Sequence, residues 1–369
     1  MKTGLNIRTI NTAKYLSGIL LSLFITASLS SIAFAAPASD PQASSKTQAV
    51  LDYLTNLPNR SDKRVISGQN TGVNYVTDNL IENIHTATGK YPGLVGVDYF
   101  YANNSTTNNQ IIAWSNANSL ITIHHHWNNP ATGGSYSRNN VAGAGSAWDT
   151  TNVDFVQLIT NGTALNTTFK SYLDTVAGGL QTLQNNNVTV LYRPFHEMNG
   201  DWFWWGGKNT TQFKNVWIYM FNYLTKTKGL HNLLWVYTPN ATLDTTFYPG
   251  SAYVDVVGID LYGASTVPKV SGYDQLSTLN KPFAITEYGP CSPSGCTSSK
   301  DWSSFISSLK ANMPKTAYWA NWAETFSMTY NSGTSTVLAD PWVITRDEIA
   351  LSTTQPLPAP GGLRIVSAK

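Results

Sequence analysis

The sequence predicts an α/β fold, a single (β/α)8 TIM barrel, and three observations carry that expectation. Eight short apolar runs are spread along the chain, segments with apolar residues at three- and four-residue spacing lie between most of them, and this patterning continues unbroken to about residue 350. Such a stretch is longer than a typical single-core domain of ~100–200 residues, yet it suits one barrel carrying some insertions. Alternating strand and helix patterns point to a parallel sheet closed on itself.

The elements follow in order. Lys2, Arg8 and Lys14 precede an apolar run over 16–34, and Ala33-Phe34-Ala35 then Ala36-Pro37 reads as a small-residue cleavage site. Residues 1–35 are therefore expected to be a secretory signal peptide, and the protein to be secreted and extracellular, with no membrane association after cleavage. An uncleaved anchor is the alternative; Ser17, Ser22, Thr26, Ser28, Ser30 and Ser31 interrupt the run and favour export. Residues 36–47 are small and polar, the composition of a flexible leader. The barrel is expected over 48–352, with strands at 64–67, 94–98, 120–124, 188–192, 233–237, 254–260, 283–286 and 317–321. Helices are expected to include 80–88, 111–117, 169–183, 213–224 and 302–309. Residues 353–369 carry Pro356, Pro358 and Pro360 before two glycines, a linker or tail that either docks a strand on the barrel or opens a truncated module.

Composition narrows the function. With 23 Lys+Arg against 21 Asp+Glu the formal charge is +2, which excludes a polybasic nucleic-acid binder and an acidic tail. Aromatic residues make up 12% of the chain, including 12 Trp, and rings beyond the needs of a core supply the flat apolar faces that a sugar-binding surface uses. Cys291 and Cys296 cannot form a structural zinc site by themselves, and in an exported protein they are expected to close one small-loop disulfide. The sequons at Asn161, Asn166 and Asn209 imply surface positions if the host glycosylates.

In such a barrel the chemistry lies where strands end. The fourth strand runs into Arg193-Pro194-Phe195-His196-Glu197-Met198-Asn199-Gly200 and then Asp201-Trp202-Phe203-Trp204-Trp205-Gly206; the seventh ends in Ile285-Thr286-Glu287-Tyr288-Gly289. Carboxylates at the ends of buried strands are costly unless bonded or used, and glutamates on strands four and seven can face each other across the mouth. Two facing carboxylates among aromatic rings are the equipment of glycoside hydrolysis. Glu197 lies among His196 and the Trp/Phe cluster, which favours a protonated acid; a phenol from Tyr288 or Tyr262 donating to Glu287 suits an ionised nucleophile. The plain alternative makes both glutamates rim acids paired with Arg193 or Lys281.

The segments RPFHEMNGDWFWWG and ITEYG, with VDVVGIDLYG between them and ISGQN near the start, resemble glycoside hydrolase family 26, best known for endo-β-1,4-mannanases. The resemblance runs in order from about Val65 to Trp322. It implies a retaining clan-A barrel in which Glu197 matches the acid/base and Glu287 the nucleophile. It further implies that His196 helps set the hydrogen bonding of the nucleophile, that Tyr262 lies beside it, and that Trp202 and Trp322 wall the reactive subsite. His126 matches a sugar-binding histidine, although His125 stands where the family often has Trp. Trp202 and Trp205 are the expected stacking platforms, whereas Trp127 and Trp148 suit either further subsites or loop anchors. Along a strand His124 and His126 share a face and His125 does not. No third zinc ligand is identified and HEMNG is not HExxH, so no metal and no cofactor are expected. The expected partner is a β-mannan polysaccharide, bound by a monomer with no nucleic acid. A β-glucanase or β-xylanase on the same scaffold, or a noncatalytic carbohydrate-binding barrel, are the alternatives.

Overall fold

The structure is a computed structural model that describes Met1 and residues 36–60, 62, 64–71, 79–99, 105–133 and 144–351. Apart from Met1, the expected signal peptide lies outside the described residues, as does the tail at 353–369. Among the described residues ten strands form one parallel sheet: β1 Val65–Ile66, β2 Gly68–Asn70, β3 Leu94–Asp98, β4 Leu120–His124, β5 Val190–Arg193, β6 Leu233–Tyr237, β7 Val256–Tyr262, β8 Phe283–Gly289, β9 Thr316–Asn321 and β10 Val343–Ile344. The short β1 and β2 are two halves of one barrel strand broken at Ser67, and β9 pairs with β1, β2 and β8, which closes the barrel. Outside that circle β10 pairs with β1, Val65 opposite Val343 and Ile66 opposite Ile344. Each expected strand coincides with an observed one to within a few residues.

The helices are α1 Ser45–Asn56, α2 Leu80–Thr88, α3 Ser105–Asn116, α4 Phe155–Ile159, α5 Ala164–Asn185, α6 Thr210–Asn222, α7 Leu276–Leu279, α8 Phe305–Asn312 and α9 Thr334–Ala339. Side chains alternate across each strand, and the two faces feed two layers. Val95, Val97, Ile121, Ile123, Val190 and Tyr192 point outward and pack with helix residues such as Phe169, Leu173, Leu180 and Trp217. Their neighbours Leu94, Leu120, Leu191, Leu234, Ala284 and Ala320 point inward and pack against Val50, Leu51 and Leu54 of α1. Helix α1 therefore plugs the end of the barrel where the strands begin, leaving the ends of the strands as the open mouth.

The leader expected at 36–47 is docked on the barrel, and its end forms the start of α1. Its Ser39 donates through its backbone N (2.6 Å) and its Oγ (2.8 Å) to the two carboxylate oxygens of Asp255, which also accepts from Trp235 N. Asp40 Oδ2 meets His231 Nδ1 at 2.8 Å, and Ser44 caps α1 by accepting from Thr47 N. Small polar residues here serve as hydrogen-bond partners for a buried acid, which composition alone does not distinguish from a linker. The sequon at Asn166 is likewise not at the surface: its Nδ2 is buried and donates to Leu158 O and the Tyr219 hydroxyl.

Asp255 satisfies three donors at once, so Asp255→Ala leaves the buried Trp235 N–H and the half-buried Ser39 N–H and O–H unpaired. A loss of about 3 kcal/mol is expected in chemical denaturation, and a chain starting at residue 41 should be destabilised in the same direction. An unchanged midpoint in both would show that the segment is not anchored by this acid.

Candidate active site

At the mouth the two glutamates sit where the strand ends place them. One carboxylate oxygen from each of Glu197, Asp260 and Glu287 lies within 4.8 Å of the others, and both glutamates are almost buried, 8% and 4% exposed. Glu287 projects from β8, and each of its oxygens is held. Arg193, the last residue of β5, donates from Nη2 to Oε1, and Tyr262, the last residue of β7, donates its hydroxyl to Oε2 at 2.5 Å. The other guanidinium nitrogen, Nη1, binds Asp260 Oδ2 at 2.8 Å. Burial opposes the charge on Arg193, but Asp260 and Glu287 outweigh it and hold the guanidinium protonated. Burial and the neighbouring Glu287 charge push the Tyr262 hydroxyl far up, so it remains a donor. Tyr288, the other phenol considered, instead donates to Ala264 O.

Glu197 is set differently. It follows β5 in a left-handed backbone conformation, φ +53°, which costs a side-chain-bearing residue ~1–2 kcal/mol. Backbone bonds from Glu197 N to Thr238 O and from Gly200 N to Glu197 O fix that turn. Its Oε1 accepts from Asn240 Nδ2 at 2.6 Å and its Oε2 from the Trp202 indole N–H at 2.7 Å. Burial first and the Glu287 charge second push its carboxyl up to about 7, against the pull of those two donors and Arg193. The pair thus consists of one carboxylate tied to a cation and one carboxyl that keeps its proton to near neutrality, the division of labour of an acid and a nucleophile.

The aromatic cluster separates into a surface part and a scaffold. Trp202 is 38% exposed and Trp148 44%, and these two offer open ring faces at the site. Trp205 is not a platform, because it is fully buried, stacked on Phe203 and donating to His196 O. Trp127 donates to Pro194 O, so it and Trp205 hold carbonyls beside the His196-Glu197 turn, while Trp204 donates to Trp127 O and ties that indole's own backbone in place. Trp127 is therefore an anchor, whereas Trp148 stacks on His126 with ring centroids 4.8 Å apart. Trp322, after β9, approaches His124 at 5.0 Å.

The three histidines divide as alternation requires. His125 turns outward, stacked on Trp127, while His124 and His126 share the inner side with Asp98. Asp98 Oδ2 binds His126 Nδ1 at 2.6 Å. A third potential ligand thus does exist, which the sequence reading did not identify, but the carboxylate oxygen nearest both rings already holds His126. Neither nitrogen of His124 has a hydrogen-bond partner, and burial followed by the Arg193 charge keeps that ring neutral. His196 is also held neutral, by burial first, and packs edge-on to His126 at 4.9 Å. It does not bond Glu287, whose partners are Arg193 and Tyr262. The residues missed from sequence are Arg193 as a bridge, Asn240 and Asp98; each lies at or just after a strand end, which was the available signal.

Comparison with known proteins shows what the chain is similar to. The model of glycosyl hydrolase family 26 matches residues 39–348. A mannan endo-1,4-beta-mannosidase of Bacillus subtilis (strain 168) is 36% identical over 333 residues, 84% of this chain and 88% of that protein. A second mannan endo-1,4-beta-mannosidase, A and B, of Caldalkalibacillus mannanilyticus is 36% identical over 358 residues, 92% of this chain and 68% of its own length. Among solved structures, a Bacillus subtilis mannanase superposes with a TM-score of 0.75 at 32% identity, covering 88% of this chain and 100% of that one.

The raised Glu197 carboxyl has a consequence for stability. Below about pH 4.5, the ordinary value, the group is protonated folded and unfolded alike and costs nothing. As pH rises toward about 7 the unfolded chain releases the proton while the folded chain keeps it, so stability is lost across that window. Glu197→Gln removes this loss. Its melting temperature relative to the wild type is expected to climb from pH 4.5 to 8, on top of a pH-independent offset from the changed acceptor. A difference flat with pH would contradict the assignment.

Proposed function

This chain belongs to glycosyl hydrolase family 26, and from that premise we propose that it is a retaining endo-β-1,4-mannanase in which Glu197 is the acid/base and Glu287 the nucleophile. The observation that carries the assignment is the approach of one oxygen of Glu197 and one of Glu287 to within 4.8 Å of each other, in unlike surroundings. A retaining pair stands at ~5–5.5 Å, whereas an inverting pair at ~6.5–9.5 Å leaves room for a water between them.

In the first step Glu287 attacks the anomeric carbon of a mannosyl unit, the bond to the leaving sugar oxygen breaks, and Glu197 delivers its proton to that oxygen. Arg193 and Tyr262 each hold one oxygen of Glu287 and keep it aimed, so little reorganisation is needed at attack. In the second step Glu197, now a carboxylate, takes a proton from water; the oxygen of that water bonds to the anomeric carbon as the ester to Glu287 breaks. Two inversions restore the original configuration. Trp202 adjoins the acid through its indole N–H and presents an exposed ring suited to the apolar face of a sugar, and Trp322 and His126 line the same mouth. The unpartnered nitrogens of His124 and the Nδ1 of His196 suit a ligand rich in hydroxyls. Export is proposed from the basic, apolar and small-residue order of the N-terminal segment; among the described residues no helix is long and apolar enough to cross a membrane.

Three outcomes test this reading. Proton NMR of the first products from mannan should show the β anomer, and an initial α anomer would exclude retention. In Glu197→Ala, mannan hydrolysis should fall steeply while an activated aryl β-mannoside still forms the glycosyl-enzyme, with azide giving a β-glycosyl azide; Glu287→Ala should fail on both substrates and yield at most the α-azide. A sugar trapped on Glu197 in mass spectrometry would reverse the roles. The alkaline limb of kcat/KM should lie near pH 7, where Glu197 titrates, and Trp202→Phe, which removes a donor to its ionised form, should move that limb upward.

A further inference from the structure

The Cys291–Cys296 disulfide closes a small loop directly after β8, and its position relative to the reacting groups has a use that closing a loop does not require. Cys291 follows Glu287 by four residues along the same chain. Its carbonyl accepts from Gly263 N at 2.7 Å, and Gly263 is the residue after Tyr262, so the loop is bonded to the end of β7. On its other side Cys296 N donates to Thr325 Oγ1 at 3.1 Å, which bonds the loop to the segment after β9 that carries Trp322. The two sulfur-bearing residues and Phe326 form a small apolar cluster with Tyr262 and Trp322 packed against it. Phe326 meets the Tyr262 ring edge-on at 5.0 Å. Gly289 lies beneath both rings, and a Cβ there would stand 2.4 Å from Tyr262 and 2.5 Å from Phe326. The fit is therefore tight around the tyrosine whose hydroxyl holds Glu287.

We propose that the Cys291–Cys296 loop is a positioning device for the reaction: it ties the ends of β7, β8 and β9 together and, through Phe326, fixes Tyr262 on the nucleophile and Trp322 beside it. The inference rests on the reading of Glu287 as nucleophile. Rigid support of this kind matters because a displacement of about 1 Å at reacting groups can cost on the order of 100-fold in rate.

The test uses the oxidised wild type, the Cys291→Ser/Cys296→Ser double variant, Phe326→Ala and the triple combination. The substrate is an activated aryl β-mannoside in single-turnover assays at 25 °C, and circular dichroism and melting temperature are recorded for every protein. With the fold intact at the assay temperature, the double variant is expected to lose about tenfold in the saturating rate of glycosyl-enzyme formation, with less than about threefold change in half-saturating concentration. Because both act through Tyr262, adding Phe326→Ala should cost much less in the double variant than in the wild type. A folded double variant with the wild-type rate overturns the proposal, and so do additive losses in the triple combination. Gly289→Ala, which leaves the disulfide in place and crowds Tyr262, should reproduce the rate loss, and a wild-type rate there counts against the proposal as well. An oxidised wild type that forms no glycosyl-enzyme on Glu287 would instead defeat the functional reading on which the proposal stands.

Discussion

The mouth of this barrel depends on one buried cation. Arg193 places one guanidinium nitrogen on Asp260 and the other on Glu287, joining the ends of β5, β7 and β8. A guanidinium without partners would be very costly at this depth, and either carboxylate alone would be too, so each of the three is tolerable only because the others are there. Burial first and the Glu287 charge second keep the proton on Glu197 to near neutrality, and Arg193, which pulls the other way, does not cancel them, so the cation that orients Glu287 also tunes Glu197.

The second constraint is mechanical. Glu197 occupies a left-handed backbone position that its side chain disfavours, and the surrounding structure has to hold it there. It does so with backbone bonds to Thr238 and Gly200 and with an indole scaffold in which Trp127, Trp204 and Trp205 each donate to a main-chain carbonyl. The abundance of tryptophan thus serves two ends: exposed rings at the mouth, proposed above to meet a sugar, and buried N–H groups that stiffen an otherwise irregular turn.

The barrel was legible because its signal is local and repeated: Val95 and Val97 against Leu94, or Tyr192 against Leu191, announce two-sided burial along each strand. The two glutamates stand out in the sequence because each directly follows an apolar run, and the fold brings their carboxylates to one mouth. Composition does not tell that Trp205 is buried rather than a platform, because the four rings of the WFWWG segment read the same whether they face solvent or carbonyls; only the fold decides. Nor does it tell that Arg193 and Tyr262, rather than His196, bond Glu287, or that Asn240 reaches Glu197, since both depend on which side chains cross between strand ends. The docked segment at 36–47 was invisible for the same reason, its partner Asp255 lying 216 residues from Ser39.

That separation bears on how the chain acquires its shape. The first barrel strand is completed by β9 and β10, at Tyr318, Val343 and Ile344, and Ser39 waits for Asp255. Pairings so distant in sequence form slowly, because loop-closure entropy must be met before the contacts reward it. During synthesis Ser39 has no access to Asp255 until more than two hundred further residues have been made. Closure of the sheet is therefore among the last events in building this barrel, whatever partial packing precedes it.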